Sequence, residues 1–138
     1  MSLQNITEKE VLEAQKKWAT SVIDIGKKFL AKEDYSSFAK TFLDRLYAFN
    51  IGDVLFKPTL AFETQFRLTK KAALSYFIGG DPDFTEDTGF ALMNWQKIRF
   101  ENKRIHIEGN IAITMGNYFM TRDNVETKVE YSLVYKND

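Results

Sequence analysis

The fold is decided by residues 92–136, which read LMNWQKIRFENKRIHIEGNIAITMGNYFMTRDNVETKVEYSLVYK. Runs rich in β-branched and aromatic residues alternate here with short polar segments, a pattern typical of β-strands joined by turns. The candidate strands are Leu92–Glu101, Arg104–Glu108, Ile111–Arg122 and Val125–Lys136. The connections, which have the residue types of hairpin turns, are Asn102-Lys103, Gly109-Asn110 and Asp123-Asn124. The stretch therefore predicts an antiparallel meander of four strands.

The last two strands differ in how their faces are composed. In Val125–Lys136, apolar or uncharged residues alternate with mostly charged ones, as in a sheet with one covered face. Ile111–Arg122 carries large apolar residues on both faces. Ile111, Ile113, Met115 and Phe119 share one face, while Ala112, Tyr118 and Met120 share the other. We therefore expect the outer face to meet a second subunit in a homo-oligomer, with a dimer favoured.

The first half of the chain predicts three helices and a short strand, Val54–Phe56. Apolar residues recur at helical spacing between recognisable caps. The expected boundaries are the capping box of Thr7 and Glu10 before the first helix, Asp34 and Asn50–Gly52 around the second, and Thr69 and Gly79-Gly80 around the third. Helices followed by a long meander predict a single α+β domain over residues 1–138, with the helices on one face of the sheet.

Composition excludes several classes of function. The formal net charge is zero, from 19 Lys plus Arg and 19 Asp plus Glu, which gives no support for a nucleic-acid partner. The chain has no cysteine, so disulfides and thiolate metal sites are excluded. No apolar run is long enough to span a membrane. No signal peptide is evident, so a cytoplasmic location is favoured unless a presequence has been removed.

Two features suggest chemistry, but a structural interpretation of each is favoured. The only histidine, His106, falls on the polar face of its strand, where a surface position is favoured over a general base. The acidic segment that contains Asp81, Asp83, Glu86 and Asp87 could bind calcium, but it lacks the order of an EF-hand loop. A solvated loop is therefore favoured, and we expect neither a metal nor a cofactor.

Six polar or polar-tipped residues are the best candidates to point into a pocket that holds a small molecule or an anion. They are Thr59, Arg67, Tyr76, Trp95, Tyr118 and Tyr131. Arg67 lies between Phe66 and Leu68, and a buried arginine needs a carboxylate or an anionic ligand. Glu63, four residues earlier, is the structural alternative to an anion.

From Gly52 onward the chain resembles the bacterial and algal family that includes the iota-class carbonic anhydrases. That family lies in the SnoaL-like and kinase-association-domain branch of the nuclear transport factor 2-like superfamily. The resemblance rests on the following runs: Asp53–Thr59, Gln65–Arg67, Ala73–Gly80, Pro82–Phe84, Glu86-Asp87, Gly89–Leu92, Trp95, Ile98–Asn102, Met115–Phe119 and Thr127–Tyr131. Together they cover about residues 52 to 135.

This resemblance implies a cone fold, in which helices pack on a curved antiparallel sheet. It also implies a pocket for carbon dioxide or bicarbonate and a chemistry that requires no metal ion. Carried over by motif, Thr59 and Tyr76 would be the catalytic hydroxyls. Family members continue beyond the position of Tyr135 into a further strand with a His-His-Ser-Ser type motif, whereas this sequence ends at Asp138. Two functions therefore stay open: carbonic anhydrase, or a non-catalytic domain for ligand binding or oligomerisation.

Overall fold

The computed structural model describes residues 5–137, which form two compact units. The sheet unit contains the chain up to Thr20 and from Gln96 onward, and the helical unit contains Ser21–Trp95. The elements are the helices α1 (Glu8–Leu30), α2 (Tyr35–Leu46) and α3 (Lys70–Ile78) and the strands β1 (Lys97–Glu108), β2 (Ile111–Arg122) and β3 (Val125–Lys136). The chain is thus α+β, as predicted. Its treatment as one domain and the cone arrangement stay predictions.

The sheet unit is an antiparallel meander in the order β1-β2-β3. Gly109 begins its turn with φ 62°, and Asp123 and Asn124 have φ 51° and 64°. Positive φ at both central residues is typical of a type I′ turn, whose twist matches that of the flanking strands. The meander and these two turns are confirmed.

The prediction of four strands is wrong, because Asn102-Lys103 is a β-bulge rather than a turn. Lys97–Glu108 is one continuous strand whose register against β2 shifts between Asn102 and Arg104. Opposite the bulge lies Gly116, where a Cβ would collide with the carbonyl oxygen of Glu101. A glycine is therefore required where the two backbones approach most closely.

The predicted beginning of that strand at Leu92 is also wrong. Phe90–Leu92 forms a 3₁₀ turn, and Asn94 has φ 60°, which is incompatible with an extended strand. The strand therefore begins at Lys97, after the backbone has reversed.

The inner face of the sheet and the first part of α1 build the core of the sheet unit. Ile6 and Val11 pack with Ala112, against which Ile105 and Tyr135 also lie. The helix begins at the predicted capping box: Glu10 N donates to Thr7 Oγ1 (3.1 Å), and Thr7 N donates to Glu10 Oε1 (3.0 Å). In β3 the predicted covered positions are buried or half-buried from Val129 onward, whereas Val125 and Thr127 are exposed.

The outer face of the sheet carries an exposed apolar stripe. Ile113, Met115 and Val134 are 46%, 56% and 65% exposed, although Ile113 and Val134 are cross-strand neighbours. The predicted apolar outer face is therefore present. Its contact with a second subunit stays a prediction.

The helical unit contains α2, α3 and the loops around them. Asp34 Oδ1 accepts from Ser37 N (3.0 Å), and Thr69 Oγ1 accepts from Ala72 N (3.1 Å), so both predicted N-caps are confirmed. Gly79 closes α3 with φ 67°. No helix of the described residues is long and apolar enough to cross a membrane.

Two predictions within this unit are wrong. The second helix ends at Leu46 rather than at Asn50–Gly52, because Tyr47 is extended (φ −109°, ψ 146°) and only a 3₁₀ turn follows. Val54–Phe56 forms no strand in the described chain. The Phe56 carbonyl accepts from Arg67 N (2.7 Å), but no ladder develops from that bond.

Candidate functional site

Tyr76 carries a buried hydroxyl in the helical unit. It lies on α3 with 6% of its surface exposed. Its ring stacks on Phe90 at 5.3 Å between centroids and meets Phe56 and Phe77 edge-on. Its phenolic oxygen accepts a hydrogen bond from the backbone N–H of Leu60 (3.2 Å). An aromatic wall thus fixes the ring, and the backbone orients the hydroxyl.

Thr59 is brought to Tyr76 through this same backbone bond. The N–H that Tyr76 accepts belongs to the peptide link between Thr59 and Leu60. Thr59 and Leu60 are the central residues of a turn in which Ala61 N donates to the Pro58 carbonyl (3.3 Å). Pro58 itself is buried. Thr59 is exposed. The two residues assigned as catalytic by resemblance are therefore adjacent, one buried and one accessible.

Trp95 forms the other end of the same aromatic wall. Its indole Nε1–H donates to the Phe90 carbonyl (2.8 Å), and its ring lies 5.8 Å from the Phe90 ring. Phe90 thus contacts both Tyr76 and Trp95. Thr59, Tyr76 and Trp95 therefore lie in one unit, and Phe90, which contacts Tyr76 and Trp95, was not selected by the sequence analysis.

Arg67 is fully buried, and its partner is Asp87 rather than Glu63. Nη1 and Nη2 donate to the two carboxylate oxygens of Asp87 at 2.7 and 2.8 Å, a bidentate pair. Nε donates to the Thr64 carbonyl (2.8 Å), and Nη1 also donates to the Ala72 carbonyl (3.0 Å). Its hydrogen bonding to Asp87 raises the pKa of Arg67. That Arg67 lines a ligand pocket stays a prediction.

Glu86, next to Asp87, binds three consecutive backbone N–H groups. Oε1 accepts from Phe62 N (2.7 Å), and Oε2 accepts from Glu63 N (3.0 Å) and Thr64 N (2.7 Å). The hydrogen bonds from Thr64 and Phe62 hold the pKa of Glu86 below its ordinary value. Three adjacent N–H groups on one carboxylate form an anion nest whose anion comes from the protein itself.

The two remaining acidic residues of this segment bind a lysine. Lys71 Nζ lies 2.9 Å from Asp81 Oδ2 and 2.7 Å from Asp83 Oδ2, and these bonds raise the pKa of Lys71 and lower that of Asp81. The segment is a loop with several exposed residues, as the favoured interpretation expected, and its four carboxylates bind protein groups. Among residues 5–137 no group of three or more His, Asp and Glu side chains could hold a metal ion.

Tyr118 and Tyr131, the other two predicted pocket residues, lie in the sheet unit. Their ring centroids are 6.1 Å apart, and both contact Phe100. The Tyr131 hydroxyl donates to Asn102 Oδ1, and burial raises its pKa. That Tyr118 and Tyr131 line a pocket with the other four residues stays a prediction.

Asn102 belongs to a partly buried polar pair that the sequence analysis missed. Gln15 Nε2 donates to Asn102 Oδ1 (2.7 Å), and Asn102 Nδ2 donates back to Gln15 Oε1 (2.8 Å). Gln15 falls on the apolar face of α1, and that position was the available signal. His106, by contrast, is exposed beside Glu108 (3.6 Å), as the favoured interpretation expected.

Comparison with known proteins gives consistent results. A family model described as metal-independent carbonic anhydrase matches residues 9–138. A relative from Nostoc sp. (strain PCC 7120), named metal-independent carbonic anhydrase, is 46% identical over 119 residues, or 84% of this chain. This chain spans 58% of that relative's length. An iota-carbonic anhydrase from a cyanobacterium, crystallised in complex with bicarbonate, is 40% identical with a TM-score of 0.95. That match covers 100% of this chain and 87% of the other.

Proposed function

Since the chain belongs to the metal-independent carbonic anhydrase family, we propose that it hydrates carbon dioxide reversibly to bicarbonate. Tyr76 and Thr59 would be the hydroxyl residues that contact substrate and water. The observation that carries this assignment is the bond from Leu60 N to the buried Tyr76 oxygen. A relative of 40% identity was crystallised with bicarbonate, and this supports the same ligand for this chain.

The hydrogen bond to Tyr76 supports a role as a donor. A phenol can both accept and donate, and a hydrogen bond accepted from a backbone N–H polarises its O–H group. Such a donor can stabilise the oxygen on which negative charge develops as water attacks carbon dioxide. The exposed Thr59 hydroxyl would orient the attacking water.

The reaction balances without a further reactant. The water oxygen forms a bond to carbon, one C=O electron pair moves to an oxygen held by Tyr76, and a proton leaves to solvent. The indole N–H of Trp95 already donates to Phe90. The indole would therefore act as an apolar wall beside the substrate.

Stopped-flow measurement of carbon dioxide hydration tests the proposal, with and without a chelator. We expect Tyr76→Phe to lower kcat by about 100-fold, the usual loss when one donor to an oxyanion is removed. Thr59→Ala should lower kcat/KM, and the chelator should change nothing. Tyr35→Phe and Thr41→Ala are matched controls, because they remove the same groups elsewhere in the helical unit. Activity absent in the unaltered chain, or unaffected by Tyr76→Phe, would sink the assignment.

The exposed apolar stripe on the outer sheet face favours a second function, assembly. Ile113, Met115 and Val134 are exposed together, and such patches mark interaction sites. We expect light scattering to give the mass of a dimer, and Ile113→Lys to give a monomer. Leu12→Lys changes a similarly exposed leucine on α1 and should leave the dimer intact. Stabilisation by bicarbonate without turnover would favour a binding domain over an enzyme.

A further inference from the structure

Glu86 and Asp87 are adjacent in sequence and together bind two different elements. Glu86 binds the loop from Pro58 to Arg67 through the N–H groups of residues 62 to 64. Asp87 binds α3, because it accepts a hydrogen bond from the Ser75 hydroxyl. The residue after Ser75 is Tyr76. One dipeptide is therefore attached both to the loop that carries Thr59 and to the helix that carries Tyr76.

The attachment to the loop depends on the charge of Glu86. Three N–H donors converge on two oxygens at 2.7 to 3.0 Å, and an ionised carboxylate is acceptor-only. A glutamine of the same size would have to turn its own NH₂ donors towards at least one of these N–H groups. Phe62 and Phe66, on the same loop, are 83% and 63% exposed, so their side chains contribute little packing to hold it.

The attachment to the helix is reinforced by Arg67. Asp87 binds its guanidinium bidentately, and the guanidinium also binds the Ala72 carbonyl in the first turn of α3. The backbone N–H of Arg67 donates to the Phe56 carbonyl (2.7 Å), which closes the loop at its base. The loop and the helix are therefore joined through buried charge.

From these contacts we infer that Glu86 and Asp87 are positioning residues that fix Thr59 relative to the Tyr76 hydroxyl. The bond from Leu60 N to Tyr76 spans the two elements that the dipeptide holds. Movement of the loop would lengthen this bond and displace the water-orienting hydroxyl together with it. A displacement of about 1 Å at such a site costs up to 100-fold in rate. The kinetic part of this inference rests on the proposed function, whereas its structural part does not.

Two-dimensional NMR of the backbone amides tests the structural part without any turnover. Tyr76→Phe removes the acceptor and defines the shift that the Leu60 amide shows when its bond is lost. We expect Glu86→Gln to move the Leu60 amide in the same direction and to speed hydrogen exchange at residues 62 to 64. Asp83→Asn is the matched control, because Asp83 is a carboxylate of the same segment that binds Lys71 instead. It should leave the Leu60 amide unchanged.

Steady-state kinetics of carbon dioxide hydration test the kinetic part of the inference. Glu86→Gln should lower kcat about tenfold with little change in KM, because it disturbs orientation rather than binding. Glu86→Asp, which keeps the charge, should recover part of both the NMR shift and kcat, and it serves as the working variant if Glu86→Gln does not fold. The inference is overturned if the Leu60 amide resonance keeps its chemical shift in both Glu86→Gln and Glu86→Asp. The unaltered chain could show no turnover while Glu86→Gln still shifts the Leu60 amide resonance. That result would refute the proposed function but support the positioning role of Glu86.

Discussion

The helical unit contains a buried polar cluster and the sheet unit a partly buried one, and the two clusters are chemically different. In the helical unit Arg67 lies between Asp87 and two backbone carbonyls, so the buried groups are charged. In the sheet unit the Gln15 and Asn102 amides bind each other, and Tyr131 donates to the same Asn102 oxygen. The structure leaves no buried side-chain nitrogen or oxygen of the described residues unsatisfied in either cluster.

This difference in charge determines how strongly each unit responds to substitutions and to acid. A buried charge that loses its partner costs more than a buried amide that loses one, because ions are desolvated at far greater cost. Charges also titrate, whereas amides do not. Mutations and acid should therefore affect the helical unit, with its candidate catalytic residues, more strongly than the sheet unit.

Asp87→Asn should have the largest effect of the changes considered. It removes the bidentate carboxylate of the fully buried Arg67 guanidinium and leaves it with Glu86 Oε2 at 3.6 Å. Breaking a buried pair on one side costs about 3 to 5 kcal/mol of unfolding free energy. Urea unfolding measures this loss, with Asp83→Asn as the control. A loss below about 1 kcal/mol would mean that water reaches the pair and that the contrast between the units is wrong.

Asn102→Ala breaks the neutral cluster and should cost less, about 1 to 3 kcal/mol. The substitution removes one hydrogen-bond partner from the Gln15 amide and one from the Tyr131 hydroxyl. Asn117→Ala is the control, because Asn117 makes a single side-chain bond, to the Val129 carbonyl (3.3 Å). If Asn102→Ala were as costly as Asp87→Asn, buried charge would not be the distinguishing feature.

The sequence predicts what Arg67 requires but not what supplies it. A buried arginine needs a carboxylate or an anionic ligand, and Glu63, four residues earlier, is the structural alternative that the sequence offers. The segment around it is not helical, and the true partner, Asp87, is twenty residues away in a loop. Pairing across loops depends on tertiary packing, and local patterns do not encode it.

The errors in the strands have a similar origin. Asn102-Lys103 has turn chemistry, but a bulge accommodates the same residues when the facing strand offers a glycine. Gly116 is that glycine, and it lies fourteen positions from Asn102. By contrast, the caps at Thr7, Asp34 and Thr69 were predicted because each depends on residues within one helical turn.

The surroundings of Tyr76 were selected from the sequence only in part, and the roles assigned to these residues stay predictions. Thr59, Tyr76 and Trp95 were selected and lie together, whereas the residues that support them, Glu86 and Phe90, were not. Glu86 acts on backbone N–H groups, which every residue has, so no residue type in the loop indicates it. Supporting contacts of this kind become visible only when the loop backbone is placed.

Acid should also affect the two units differently, and this effect should be smaller than that of the substitutions above. The pKa of Glu86 is held below its ordinary 4.5 by the N–H groups it binds, and the pKa of Asp81 is lowered by Lys71. A carboxyl whose pKa is lower in the folded state stabilises the fold above the unfolded value. This contribution is lost as pH falls through the folded value. Below about pH 4.5, amides 62 to 64 should therefore lose protection from hydrogen exchange before those of β2.

Glu86→Gln should remove most of that pH dependence at residues 62 to 64, because glutamine does not titrate. Asp83→Asn provides the comparison within the same acidic segment. Equal loss of protection in both units as the pH falls would show that unfolding is global, and the two clusters would then not act separately.

The smallest effect should come from the helix caps, which lie outside both clusters. Thr7 caps α1 in the sheet unit and Thr69 caps α3 in the helical unit, each by one bond of 3.1 Å from a backbone N–H. Because capping is local, Thr7→Ala and Thr69→Ala should each cost about 1 kcal/mol by urea unfolding. Thr69 lies two residues after Arg67. A much larger loss of unfolding free energy for Thr69→Ala would therefore show that the charged cluster depends on the first turn of α3. The helical unit would then be more sensitive than the sheet unit even to the loss of a helix cap.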